Sequence, residues 1–148
     1  MWQGDNELDW HCFEVAAPRP NQVRLIEVDW RDSEGVCWAR AQMEQLWRDE
    51  EYLFQIDSHM RFESGWDESL VDMHCACPSP KAVLTTYPAG YTPPRHIPHR
   101  VTRRLVAQKF NRYGGCIIIS RTLPNNPPPH APVLGAFIGA GMLFGPAA

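Results

Sequence analysis

Asp57 and His59 stand two positions apart at the end of a short apolar run, Tyr52-Leu53-Phe54-Gln55-Ile56, with Ser58 between them. In extended backbone, residues i and i+2 project to the same side. A carboxylate oxygen and an imidazole so placed can converge on one divalent cation. Oxygen-rich ligation suits Mn²⁺ or Mg²⁺, and the imidazole tilts the choice toward Mn²⁺. The same residues also fit a plainer role, with a strand-end aspartate capping the next turn and a histidine on the surface. Metal-dependent hydrolysis is a further chemistry, and it needs a water-activating carboxylate near Asp57. Glu63 and Asp67 are the near candidates, although Asp67 equally suits a helix N-terminus.

These residues depend on the elements around them. The run Tyr52 to Ile56 has the length and composition of a buried strand. Val23 to Val28 predicts an earlier strand. Val36, Ala39, Met43, Leu46 and Trp47 recur at helical spacing after a capping Asp32 or Ser33. Strand, helix, strand reads as a βαβ unit with parallel strands and a right-handed crossover. Trp66, Leu70, Met73 and Cys77 mark a second helix, ended by Pro78 and Pro80, and Lys81 to Tyr87 the next strand. The alternation predicts an α/β three-layer sandwich with a mostly parallel central sheet in one domain over residues 1–148. Ligands of such sheets bind outside the carboxyl ends of the strands, where Asp57 and His59 fall.

Past Pro88 the pattern changes to a Pro-rich C-terminal half. Arg95, His96, His99 and Arg100 lie in a proline-rich loop and either clamp a diphosphate or are simply solvated. Arg103–Phe110 and Cys116–Ser120 predict two strands around a turn at Asn111-Arg112-Tyr113-Gly114-Gly115. Asn125 to Pro129 reads as a polyproline-like connector, and Leu134 to Phe144 as a core strand.

The chain has 148 residues and a net charge of −3, which argues for no nucleic-acid partner. All seventeen acidic residues lie at or before Asp72, with six bases, and eight bases follow with no carboxylate among them. The basic half either faces a phosphate-bearing ligand or an acidic partner, or neutralises the acidic half within the fold. The five cysteines match no zinc framework. His74-Cys75-Ala76-Cys77 is their one cluster, and free thiols in a reducing cytoplasm are the expectation. The N-terminus lacks the features of a signal peptide. The apolar tail from Val133 is too short and too glycine-broken for a transmembrane span.

Gly35-Val36-Cys37-Trp38-Ala39-Arg40-Ala41-Gln42, Gln55 to Phe62, Gly65-Trp66-Asp67, Ser79 to Pro88 and Gly135 to Met142 together resemble the GlcNAc glycosyltransferase family, enzymes similar to the polypeptide hydroxyproline N-acetylglucosaminyltransferases. The resemblance covers nearly the whole chain. It implies a GT-A (Rossmann-like) fold, a UDP-GlcNAc donor, a divalent cation and transfer with retention to a hydroxyl on a protein or glycan. Asp57-Ser58-His59 looks like the family's variant of the Asp-x-Asp motif, an Asp-x-His. By that likeness Asp57 contacts the ribose or the metal, His59 ligates the metal, and Arg40 reaches the nucleotide. Gly141 and Met142, in the segment Gly139 to Met142, line the sugar or acceptor pocket.

Departure of UDP places charge on a diphosphate, which a bound cation neutralises as a Lewis acid. A retaining front-side route asks little of a protein base, because the leaving phosphate can take the acceptor's proton; no catalytic side chain is assigned. Trp38 and Trp66 are read as packing residues in preference to sugar platforms. By the same likeness the family's first strand and helix, and a later segment with further acidic and histidine residues, lie outside this chain. That reads as a partial GT-A domain, with an inactive sugar-nucleotide-binding remnant as the alternative function.

Overall fold

The chain folds as two units, Met1–Asp49 and Glu50–Ala148. The computed structural model describes residues 2–4, 19–58, 60–88, 90–92, 103–123 and 131–147. His59 lies outside the described residues, as do Arg95, His96, His99, Arg100 and the connector 125–129.

In the first unit, β1 (Trp2–Gly4) and β2 (Glu27–Asp29) pair in parallel, Trp2 opposite Glu27. The strand expected over Val23 to Val28 forms only at its end; Val23 and Leu25 are exposed, so their apolar character carries no burial. A single 3₁₀ turn at Trp30–Asp32 follows, capped by the Asp29 carboxylate, which accepts from the Arg31 amide at 2.9 Å. Helix α1 (Val36–Glu44) stops short of the expected Trp47. The Arg24 guanidinium donates to the Leu46 carbonyl, tying the segment before β2 to the end of α1.

In the second unit, β3 (Tyr52–Ile56) forms as expected, and α2 (Trp66–Cys75) follows it. Asp67 and Glu68 occupy the first turn of α2, where their negative charge favours the helix dipole. Next come β4 (Leu84–Thr85), β5 (Arg103–Phe110), β6 (Cys116–Thr122) and β7 (Met142–Pro146). The main sheet has the order β3-β7-β4, and β7 runs antiparallel to both neighbours. β5 and β6 form an antiparallel hairpin of their own. Its tip is closed by Asn111, whose side-chain oxygen accepts from the amides of Tyr113 and Gly115, each at 2.9 Å. Gly114 there takes φ +80°, which a β-carbon resists.

The expected three-layer sandwich with a mostly parallel central sheet is therefore corrected: the main sheet is antiparallel at every pairing, within a small mixed fold. Two assumptions failed. β2 pairs with β1 in the first unit, so no βαβ unit joins it to β3. The expected Leu134 to Phe144 strand begins only at Met142 and inserts between β3 and β4. β3 and β4, each antiparallel to β7, still point the same way.

Phe144 accounts for that insertion. It pairs with Phe54 on one side and Leu84 on the other, and is only 5% exposed. Its ring stacks on Tyr52 at 5.1 Å and meets Phe54 edge-on at 6.0 Å. The α2 stripe Trp66, Leu70, His74 covers this face at i, i+4, i+8. Trp66 stacks on Phe54 at 5.3 Å, Leu70 is buried, and His74 meets Tyr52 edge-on at 5.5 Å. Trp66 is thus a packing residue, as expected.

Candidate functional site

The opposite face of the sheet, away from α2, carries polar groups on a shared rung. Gln55, Leu143 and Thr85 are aligned across β3, β7 and β4. Side chains alternate along a strand, so Gln55 and Thr85 project away from the Phe144 face. Gln55 Nε2 donates to the Ala140 carbonyl at 2.7 Å. The Thr85 hydroxyl accepts from the Gly139 amide at 2.9 Å and donates to the Gly139 carbonyl at 3.2 Å. Two strands therefore grip the backbone of one turn, Gly139 to Met142, which the Met142 amide closes on the Gly139 carbonyl.

Asp57 extends the grip by two residues on the same face. Its amide donates to the Gly141 carbonyl at 3.1 Å. A β-carbon at position 141 would lie 2.7 Å from Asp57 Oδ2, and one at 139 would lie 2.9 Å from the Tyr87 ring and 3.0 Å from Leu105. Both glycines are buried. At 139 the Tyr87 ring and Leu105 crowd any added β-carbon, while at 141 the movable end of the Asp57 side chain would have to swing away from one.

Asp57 itself is exposed, and its carboxylate has no hydrogen bond or ion pair with any described residue. An unpaired carboxylate at the outer end of a strand, beside a glycine turn, is open to a cation or a hydroxyl.

Of the predicted residues, Asp57, Gly141 and Met142 are brought together, although 84 positions separate Asp57 from Gly141. Ser58 is exposed in the bend that follows. Arg40 is half-buried on α1, in the first unit. Sequence reasoning missed Gln55 and Thr85. The available signal was a lone polar side chain inside an apolar strand, which in a sheet must find a partner on one face.

No group of three His, Cys, Asp or Glu side chains able to hold a metal exists among the described residues. Asp57 offers one carboxylate, which fits a cation that keeps most of its waters and arrives with a substrate phosphate, and does not fit an all-protein cage. The His74–Cys77 cluster lies at the other end of β3. With Glu51, Tyr52 and Pro146 it lines a cleft of about 480 Å³. His74 is buried and its Nε2 meets the Ala82 carbonyl at 3.1 Å, a structural use of the ring. Among the described residues, no helix is long and apolar enough to cross a membrane.

The sequence model of the family described as Glycosyltransferase (GlcNAc) matches residues 6–148. Neither the curated proteins nor the solved structures yield a match to the chain.

Proposed function

This chain belongs to the GlcNAc glycosyltransferase family, and we propose that it binds UDP-GlcNAc and transfers GlcNAc, with retention, to a hydroxyl on a protein or glycan. A sugar donor and an acceptor are its partners at the level the family defines. The juxtaposition of the unpaired Asp57 carboxylate with the Gly139–Met142 turn carries the finer reading.

In this reading Asp57 holds the donor end of the site, by a ribose hydroxyl or by a cation, with Ser58 beside it and His59 as a second ligand. Mn²⁺ or Mg²⁺ would be held by Asp57 and His59 and would supply charge neutralisation for the departing diphosphate. Gln55 and Thr85 hold the turn by its backbone, which leaves Gly141 and Met142 as a fixed wall against the donor sugar or the acceptor. A wall gripped from two strands keeps its place during the reaction, which is what positioning of two reactants requires. The four described cysteines are free, in line with a cytoplasmic setting.

Calorimetric titration of UDP into the purified chain, with Mn²⁺ and then with EDTA, tests this. Binding should need the metal and be lost in Asp57→Ala and His59→Ala. Metal-independent binding that survives Asp57→Ala would remove the site assignment. Metal-dependent binding without transfer from UDP-GlcNAc to any hydroxyl acceptor would leave a binding protein and remove the transferase reading.

A further inference from the structure

The register of the β5–β6 hairpin sets Arg104 directly opposite Arg121. Both are exposed, and neither guanidinium has a hydrogen bond or ion pair with a described residue. Like charges directly opposite one another weaken a strand pair. Nothing later than Asp72 offers a carboxylate to offset them.

A third cation joins this face through an irregularity. The ladder shifts between Ala107 and Lys109, so that Lys109 comes to oppose Ile117. An unbroken ladder would have set Gln108 there and turned Lys109 to the other face. Bulges of this kind re-aim a side chain. Alternation along β6 then lines up Arg121, Ile119 and Ile117, against Arg104, Val106 and Lys109 on β5. The face reads cation pair, apolar rung, cation, over about 14 Å of strand. Leu105 projects from the other face, where it closes on Gly139.

The outer edge of β6 has no strand beside it among the described residues. An open edge presents a row of backbone donors and acceptors to an extended chain. We propose that this edge and face dock an extended acidic polypeptide segment, which adds to β6 as a third strand and sets alternating carboxylates against Arg121 with Arg104 and against Lys109. A second copy of the same edge would bring like charges together, so the stripe opposes self-pairing while admitting an acidic partner. Polyanions without a peptide backbone meet the charges but cannot use the edge.

The test uses the whole chain without sugar nucleotide, and follows the anisotropy of a fluorescein-labelled peptide of alternating Thr and Asp. Saturable binding is expected, weakened about tenfold by Arg104→Gln with Arg121→Gln. The double variant should also melt higher than the parent, because a cross-strand repulsion is gone, and this separates loss of binding from loss of fold. A peptide with alternate Thr replaced by Pro should bind at least about fivefold more weakly, since proline removes ladder donors. Absence of saturable binding overturns the proposal, and so does binding unmoved by the double variant. Equal binding of the Pro peptide, or tighter binding of heparin or a single-stranded oligonucleotide, also overturns it, because the surface would then read charge alone.

Discussion

Asp57 Oδ2 lies 2.7 Å from where a β-carbon on residue 141 would stand, and the Asp57 amide donates to the Gly141 carbonyl. The position of the carboxylate thus depends on the absence of a side chain far away in sequence. Gly141→Ala should push the Asp57 side chain aside and lower metal-dependent UDP affinity nearly as much as Asp57→Ala does. A double-mutant cycle checks this. In the Asp57→Ala background the added methyl finds room, so the stability cost of Gly141→Ala should shrink by about 1 kcal/mol or more, within the range of contacting pairs. Strict additivity in urea unfolding would show that the two residues do not press on each other.

Thr85 satisfies both backbone groups of buried Gly139. Thr85→Val keeps the shape and removes the hydroxyl, leaving the buried Gly139 amide without its acceptor, while the Gly139 carbonyl keeps only the Met142 amide. A cost of about 1–3 kcal/mol is expected, while Thr85→Ser should recover most of it. Thermal melts of the three proteins, with UDP titration beside them, check this; equal melting of Val and Thr forms would mean that water satisfies Gly139 instead.

These relationships mark where sequence reasoning reached and where it stopped. β3, β5 and α2 were legible because each carries its own pattern: an apolar run bounded by Asp57, alternation closed by the Asn111–Gly115 turn, and the i, i+4 stripe of Trp66 and Leu70. Asp57 was a candidate from its place at the end of an apolar run, whereas Gly141 and Met142 became candidates through resemblance alone, since nothing local in either segment announces the other. Sheet order was not legible. Pairing is a long-range choice, and Phe144 could be placed between Phe54 and Leu84 only once the aromatic surface of α2 was known. Local alternation of strand and helix instead suggested neighbours in sequence as neighbours in space, which the antiparallel β7 overturns.

Tyr52 gives the fold a pH dependence. Burial first, and then the Glu51 carboxylate and Cys75 thiol, push its phenol above the ordinary value of 10.0. The folded state therefore holds the proton more tightly than the unfolded chain does. That contribution is complete below the unfolded value and is lost as pH rises through the folded one. Melting temperatures taken from pH 8 to 11 should fall at the alkaline end, and fall less in Tyr52→Phe, which has no proton to lose. Parallel curves for the two proteins would place the alkaline loss elsewhere.

Phe144 should be the costliest single truncation in the second unit. It is buried between two strands and beneath α2, touching Tyr52, Phe54 and His74. Phe144→Ala removes the ring from all of these at once and should cost about 3–5 kcal/mol. Phe144→Leu keeps most of the volume and should cost less than about 2 kcal/mol. The loss should reach the site, because β7 begins at Met142 and anchors the turn that Asp57, Gln55 and Thr85 hold. UDP affinity in Phe144→Leu, which stays largely folded, should therefore drop along with stability. A urea midpoint unchanged in Phe144→Ala would mean that the β3-β7-β4 sheet is not organised around this ring, while a large stability loss with donor affinity intact would detach the turn from the sheet that holds it.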